Sequence, residues 1–221
     1  MATVDDERLQ AERAASVPST QQGEDTRERI LEVATEEFAE KGLAGARVDE
    51  IARRARANKQ LVYYYFGGKL GLYNEVLGHM IEESRHRVLE EAACGSLAEK
   101  FKLMVGRGTE ETGVRWQRLL GWEALEGGSE IVREAERRGT WQRHVASVRE
   151  AQAAGELNDK FDPELVALAL VSVTIFPYVL PQVTKFVTGT LPTDPDFGAR
   201  YEAFVEQLVG ELRPLPMKPR R

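Results

Sequence analysis

Lys59, Gln60, Tyr63 and Tyr64 fall within one short segment, Lys59-Gln-Leu-Val-Tyr-Tyr-Tyr-Phe66. Each carries a group suited to a nucleic-acid duplex. A lysine ammonium pairs with a phosphate or donates to a guanine edge, and a glutamine amide forms paired hydrogen bonds with adenine. Leu61 offers an apolar contact for a thymine methyl. Tyr63 and Tyr64 offer hydroxyls to phosphate while their rings pack on sugar or thymine. Arg47 can hold the opposite wall of a groove. Lys69 stands where a helix N-terminus adds its own backbone donors to a phosphate. Three consecutive large rings are hard for one core to absorb, so at least one must face outward.

The elements that position these groups follow from apolar spacing. Ile30, Leu31, Ala34, Phe38 and Ala39 recur at helical intervals. Asp25 or Thr26 is the expected N-cap of that helix and Gly42 its stop. A second helix is expected over Val48–Ala55, with Val48, Ile51, Ala52 and Ala55 on one face and Arg53 and Arg54 off it. Arg56-Ala57-Asn58 is the turn. The third helix, over Lys59–Phe66, puts Val62, Tyr65 and Phe66 inward and Lys59, Gln60, Tyr63 and Tyr64 outward, and Gly67-Gly68 ends it. Two short helices joined by a tight turn, the second one polar on its free side, form a helix-turn-helix that enters the major groove.

Charge agrees locally rather than globally. The chain of 221 residues has a net charge of −6, which by itself disfavours a nucleic-acid partner. Between Lys41 and Lys69, however, seven basic residues face only two acidic ones, and phosphate attraction needs only a local basic face. Cys94 is the only cysteine, so no intrachain disulfide is possible and a reducing, cytoplasmic location is expected. The N-terminus lacks the apolar segment of a signal peptide. The longest apolar run, Leu165 to Phe176, is too short to span a bilayer, so no membrane partner is expected.

Residues 26–73 resemble the N-terminal domain of the TetR/AcrR family of transcriptional regulators. The matching residues are Arg29-Ile-Leu-Glu-Val-Ala34, Phe38-Ala-Glu-Lys-Gly42, Val48-Asp-Glu-Ile-Ala52, Asn58-Lys-Gln-Leu-Val-Tyr-Tyr-Tyr-Phe66, Lys69 and Leu72-Tyr73. The resemblance implies an all-helical homodimer with a three-helix DNA-binding domain and a larger C-terminal ligand domain. It also implies that Arg47, Asn58, Lys59, Gln60, Leu61, Tyr63, Tyr64 and Lys69 face DNA. Several positions depart from the family pattern. Ala46-Arg47 stand where a hydroxyl cap is usual, a loss worth roughly 1 kcal/mol. Arg56 replaces a turn glycine, so a left-handed backbone there would be strained by about 1–2 kcal/mol. Gln60 and Leu61 replace smaller residues, which alters base contacts. Gly67-Gly68 replace a Pro-Ser type pair, which suggests a looser join to the next helix.

The chain is accordingly divided into a disordered tail over 1–24, a DNA-binding domain over 25–70, a helical ligand-binding and dimerisation domain over 71–212, and a disordered tail over 213–221. Helical segments parted by Gly, Pro and Asp continue to Leu212, and no period-2 alternation predicts a sheet. Asp162-Pro163 is a strong helix start. The helix that follows is apolar nearly all round, so it must be covered on two sides, and Pro177 and Pro181 should kink or split it. One side is a candidate dimer surface: Val166, Leu170 and Val173, with Phe197, Tyr201, Phe204 and Leu208 from the next helix. The alternative is burial within one subunit. Phe101, Met104, Trp122, Phe176 and Tyr178 are candidate walls of a small-molecule pocket, with Glu123 and Gln152 as polar contacts; the alternative is that they fill core.

No metal cluster, cofactor motif or catalytic nucleophile is evident. His79, His86 and His144 do not form a ligand set with Cys94, and Gly106-Arg-Gly108 follows no strand. The reading is a repressor that binds a roughly palindromic operator as a dimer and is released by an unidentified small molecule. The alternative is a ligand-independent activator or architectural protein of the same fold.

Overall fold

Ten α-helices and no strand make up the described part of the computed structural model, which covers residues 20–92, 95–126 and 131–214. They form two compact units that meet in sequence between Val76 and Leu77, six residues beyond the expected boundary.

In the first unit, α1 (Thr20–Gly45) breaks at Gly42, where φ is +69°. Among the described residues the helix extends back to Thr20, so the expected N-caps lie inside it. Thr26 instead donates its hydroxyl to the Gln22 carbonyl at 2.8 Å. Residues 20–24 are thus helix rather than tail; the rest of the expected N-terminal tail, Cys94, Gly127-Gly128 and residues 215–221 lie outside the described residues. Helix α2 (Val48–Arg54) packs on both α1 and α3 (Lys59–Phe66). Their core is Ile30, Ala34, Phe38, Ile51, Val62 and Leu72, all fully buried. Phe38 and Tyr73 meet edge to face at 5.1 Å. Glu37 is also fully buried, held by Lys41 at 2.8 Å and Arg54 at 3.4 Å. Arg54 pairs with Glu36 as well, so an arginine outside the apolar face of α2 still pins it to α1.

Helix α4 (Lys69–Ala92) starts in the first unit and continues without a break into the second. There follow α5 (Leu97–Thr109), α6 (Glu111–Glu126), α7 (Glu134–Ala153), α8 (Pro163–Val179), α9 (Pro181–Thr188) and α10 (Pro195–Glu211). Local chemistry starts them. Ser96 and Glu99 form a capping box on α5. Asp162 and Asp194 cap α8 and α10, each ahead of a first-turn proline. Helix α5 packs most extensively on α10. The core joins Leu97, Phe101 and Val105 to Val148, Leu157, Leu170, Val205 and Val209.

Two candidate dimer residues belong to the protomer's own interior. Leu170 and Phe197 are 3% and 2% exposed. Val166, Val173 and Tyr201 also pack partly against this core, and Leu208 is half-buried. Among those candidates only Phe204 is exposed. Leu165, Leu168 and Phe176 are the large apolar side chains that α8 presents outward, along a stripe shared with Ala169 and Ser172.

Pro177 and Pro181 split the apolar segment as expected, and α8 and α9 meet at 93°. Each proline lacks an N–H, so each leaves open the carbonyl four residues before it. Both carbonyls have found hydroxyls. Tyr201 Oη donates to the Val173 carbonyl at 2.7 Å, and Thr184 Oγ1 donates to the Pro177 carbonyl at 3.0 Å. Tyr201→Phe should destabilise the protein by about 1–3 kcal/mol, because a shielded carbonyl loses its donor. Urea denaturation followed by circular dichroism measures this; an unchanged midpoint would show that water replaces the phenol.

Candidate nucleic-acid interface and ligand chamber

Helix α3 separates into two faces. Val62 and Phe66 are buried, whereas Lys59 and Gln60 are exposed and Tyr63 and Tyr64 keep 51% and 68% of their surface. Leu61 and Tyr65 lie half-buried between them. Asn58 caps the helix, its Oδ1 accepting from the Leu61 N–H at 2.8 Å. That oxygen is therefore committed to the fold, leaving the amide NH₂ for a partner.

The glycine pair after α3 is a two-residue turn into α4. Gly67 is a left-handed C-cap, and Gly68 also has positive φ at +126°; an L side chain would be strained at either. The Leu72 N–H reaches back to the Gly68 carbonyl at 3.0 Å. Arg56 does adopt the left-handed conformation, φ +52°. Ala57 N–H reaches the Ala52 carbonyl at 2.9 Å, so α2 ends in a Schellman turn with arginine in the glycine position. Arg47 caps α2 in extended geometry with no side-chain bond.

The basic character of this segment is largely neutralised by its own chain. Lys59 Nζ sits 2.9 Å from Asp49, whose hydrogen bond and charge raise the lysine pKa. Arg53 is paired with Glu50, and Lys69 Nζ donates to the Ala44 carbonyl at 3.1 Å. Of the seven cations, Arg47 and Arg56 make no side-chain hydrogen bond or ion pair among the described residues. The exposed face thus offers an ammonium, an amide and two phenols, with two uncommitted guanidinium groups on the neighbouring helix-turn segment. That set can contact phosphates and base edges together.

The second unit holds a cavity of about 80 Å³ bounded by α4, α5, α6, α7 and α8. Trp116, Gln117, Trp141 and His144 face it, with Met80 and Met104. Of these, only Met104 stood among the expected pocket walls. His144 also lines an adjoining space of about 170 Å³, shared with Phe101, and an open apolar groove of about 600 Å³ that includes Phe176. Trp122, Glu123, Gln152 and Tyr178 line none of the three spaces. Glu123 is bound to Arg137 by two hydrogen bonds of 2.7 Å. Gln152 donates to the Asn158 and Phe161 carbonyls and fastens a loop. Phe101 is core, 2% exposed. Tyr178 is buried too, and burial pushes its phenol up to about 12. Gln117 shows why these walls were missed. Gln117 and Gly113 lie four residues apart on the buried face of α6, so a polar residue inside an apolar stripe was the available signal.

Residues 30–76 match the family model for bacterial regulatory proteins of the tetR family, and residues 114–210 match that for a tetracyclin repressor-like C-terminal domain. The chain is 35% identical over 170 residues to the HTH-type transcriptional repressor SCO4008 of Streptomyces coelicolor, a match spanning 75% of this chain and 85% of that protein. The crystal structure of the Streptomyces coelicolor protein SCO4942 superposes with a TM-score of 0.66 at 26% identity, covering 86% of this chain and 99% of that one. The Bacillus subtilis regulator FadR, solved in complex with stearoyl-CoA, has a TM-score of 0.62 at 16% identity, over 82% of this chain and 96% of its own. At that identity the likeness is one of fold.

Proposed function

Because this chain belongs to the TetR family of bacterial regulatory proteins, transcriptional regulators rather than enzymes, we propose that it is a repressor released from its operator by a small molecule. The observation that carries this reading is the two-faced α3: a dry side of Val62 and Phe66 and a wet side of Lys59, Gln60, Tyr63 and Tyr64. A groove-reading helix must be both anchored and bare.

In this proposal two copies pair through the exposed stripe of Leu165, Leu168 and Phe176 on α8, with Phe204 from α10. Their two α3 helices then meet half-sites about 34–36 Å apart, or a multiple of that, on a roughly palindromic operator. Lys59 leaves Asp49 for a phosphate, Gln60 reads a base edge, and Tyr63 and Tyr64 bind the backbone. Asn58, Leu61, Arg47 and Lys69 complete the contact.

Release follows from α4. The helix lines the cavity through Met80, Glu83, Ser84 and Arg87, and it begins directly after the Gly67-Gly68 turn that ends α3. A ligand that binds one position of α4 better than another shifts the population toward the state with lower DNA affinity. The FadR complex supports the idea that this fold accommodates a ligand.

Electrophoretic mobility shift with the protein's own upstream region tests the reading. The dimer should shift the fragment at low salt and lose it steeply as salt rises. Failure of a folded dimer to bind at low salt would overturn it.

A further inference from the structure

Gln117 and His144 are 6% and 9% exposed, and both face the 80 Å³ cavity. Gln117 Oε1 is buried with no hydrogen-bond partner. Neither imidazole nitrogen of His144 is hydrogen-bonded among the described residues. A partnerless amide inside a protein is unfavourable, and buried polar groups are nearly always satisfied. The place of the Gln117 amide on the wall of this space indicates that an occupant supplies the missing partner, with the His144 imidazole beside it as a second polar contact.

The walls define that occupant further. Trp116 and Trp141 bring flat aromatic surface, and Arg137 lies over the Trp116 ring at 5.9 Å. Met80 and Met104 add thioethers that suit aromatic edges. The charged groups on the wall are already answered. Arg87 pairs with Glu83 and also bonds Thr112, while Arg107 pairs with Glu90 at 2.6 Å and donates to the Arg87 carbonyl. Burial lowers the His144 pKa to about 4, so its ring is neutral near pH 7. On this wall a charged ring would meet no unpaired counter-charge and would lose its hydration. Gly108 leaves room for the amide, since a Cβ there would lie 2.9 Å from Gln117 Nε2.

We propose that this chamber takes a small, uncharged aromatic molecule carrying a hydrogen-bond donor, held by Gln117 and His144 between the two tryptophans. The proposal rests on the reading above that this unit takes a ligand, and it names the ligand's chemistry. The 170 Å³ space beside His144 leaves room for a substituent beyond the first ring.

Phenol, toluene and benzoate test it, being one ring bearing a donor, a methyl or a charge. Calorimetric titration and thermal shift on the full chain should show phenol binding at least tenfold more tightly than toluene, with benzoate weakest. Gln117→Met keeps the shape and removes the amide; it should bring the phenol and toluene affinities together and raise the melting temperature of the free protein. His144→Phe, a second variant, should also erode the preference for phenol. Equal binding of phenol and toluene, preferred binding of benzoate, or no binding of any of the three would overturn the proposal. So would an undiminished phenol preference in both variants. Mobility shift in parallel separates the two readings. Selective phenol binding with an unchanged operator complex supports the chamber chemistry and overturns ligand release.

Discussion

Alanine at Lys59 and Tyr63 together should weaken operator binding by about 100-fold or more without altering the melting temperature. Both side chains point to solvent, so their loss opens no cavity. Each lost contact to phosphate or base is worth roughly 1–3 kcal/mol, and a dimer loses each one twice. Part of the lysine's contribution is offset, because it must leave Asp49, its partner at 2.9 Å, to reach the duplex. The dependence of log K on log salt should become shallower by about one for each phosphate contact removed. Fluorescence anisotropy across a salt series measures affinity and slope together. If the double variant folds normally and binds as tightly as the wild type, α3 is not the reading helix.

Gly71→Ala should destabilise the first unit by about 3 kcal/mol or more, lowering its melting temperature by on the order of 10–20 °C. A Cβ at Gly71 would lie 1.8 Å from the Phe66 carbonyl oxygen and 3.0 Å from its carbon. Those are backbone atoms at the end of α3, so no rotamer change relieves the clash. Either α3 loses its last turn or α4 starts later, and both move the exposed tyrosines. Gly210→Ala in α10 is the control, since nothing lies within 4 Å of the added carbon; a helical alanine there should be neutral or stabilising. Differential scanning calorimetry of the two variants decides, and a Gly71→Ala protein as stable as the wild type would sink the argument.

The first unit was legible because its helices are two-faced. Val62 and Phe66 against Lys59 and Gln60 is a local pattern, and burial follows it. The strain at Arg56 was likewise readable from a turn position that calls for glycine. The second unit was harder for a physical reason. Where apolar residues surround a helix, as on α8, spacing does not say which side meets the protomer's own core. Leu170 and Leu168 look alike in sequence, yet one is buried and the other 63% exposed. The chamber walls come from five helices, and their convergence on His144 is a tertiary property. Pairing was hidden too. Counting cations between Lys41 and Lys69 takes no account of Glu36 and Glu37, which lie outside that window and engage Arg54.

The elbow between α8 and α9 is held from a distance. Its two prolines remove local donors, and one replacement, the Tyr201 phenol, comes from α10. An excised peptide spanning only α8 and α9 would retain both prolines but lack that donor, leaving the Val173 carbonyl to water. The corner is consequently a joint property of two remote stretches of chain, and the fates of Pro177 and Tyr201 are tied: restoring the amide at one would relieve the need for the hydroxyl at the other.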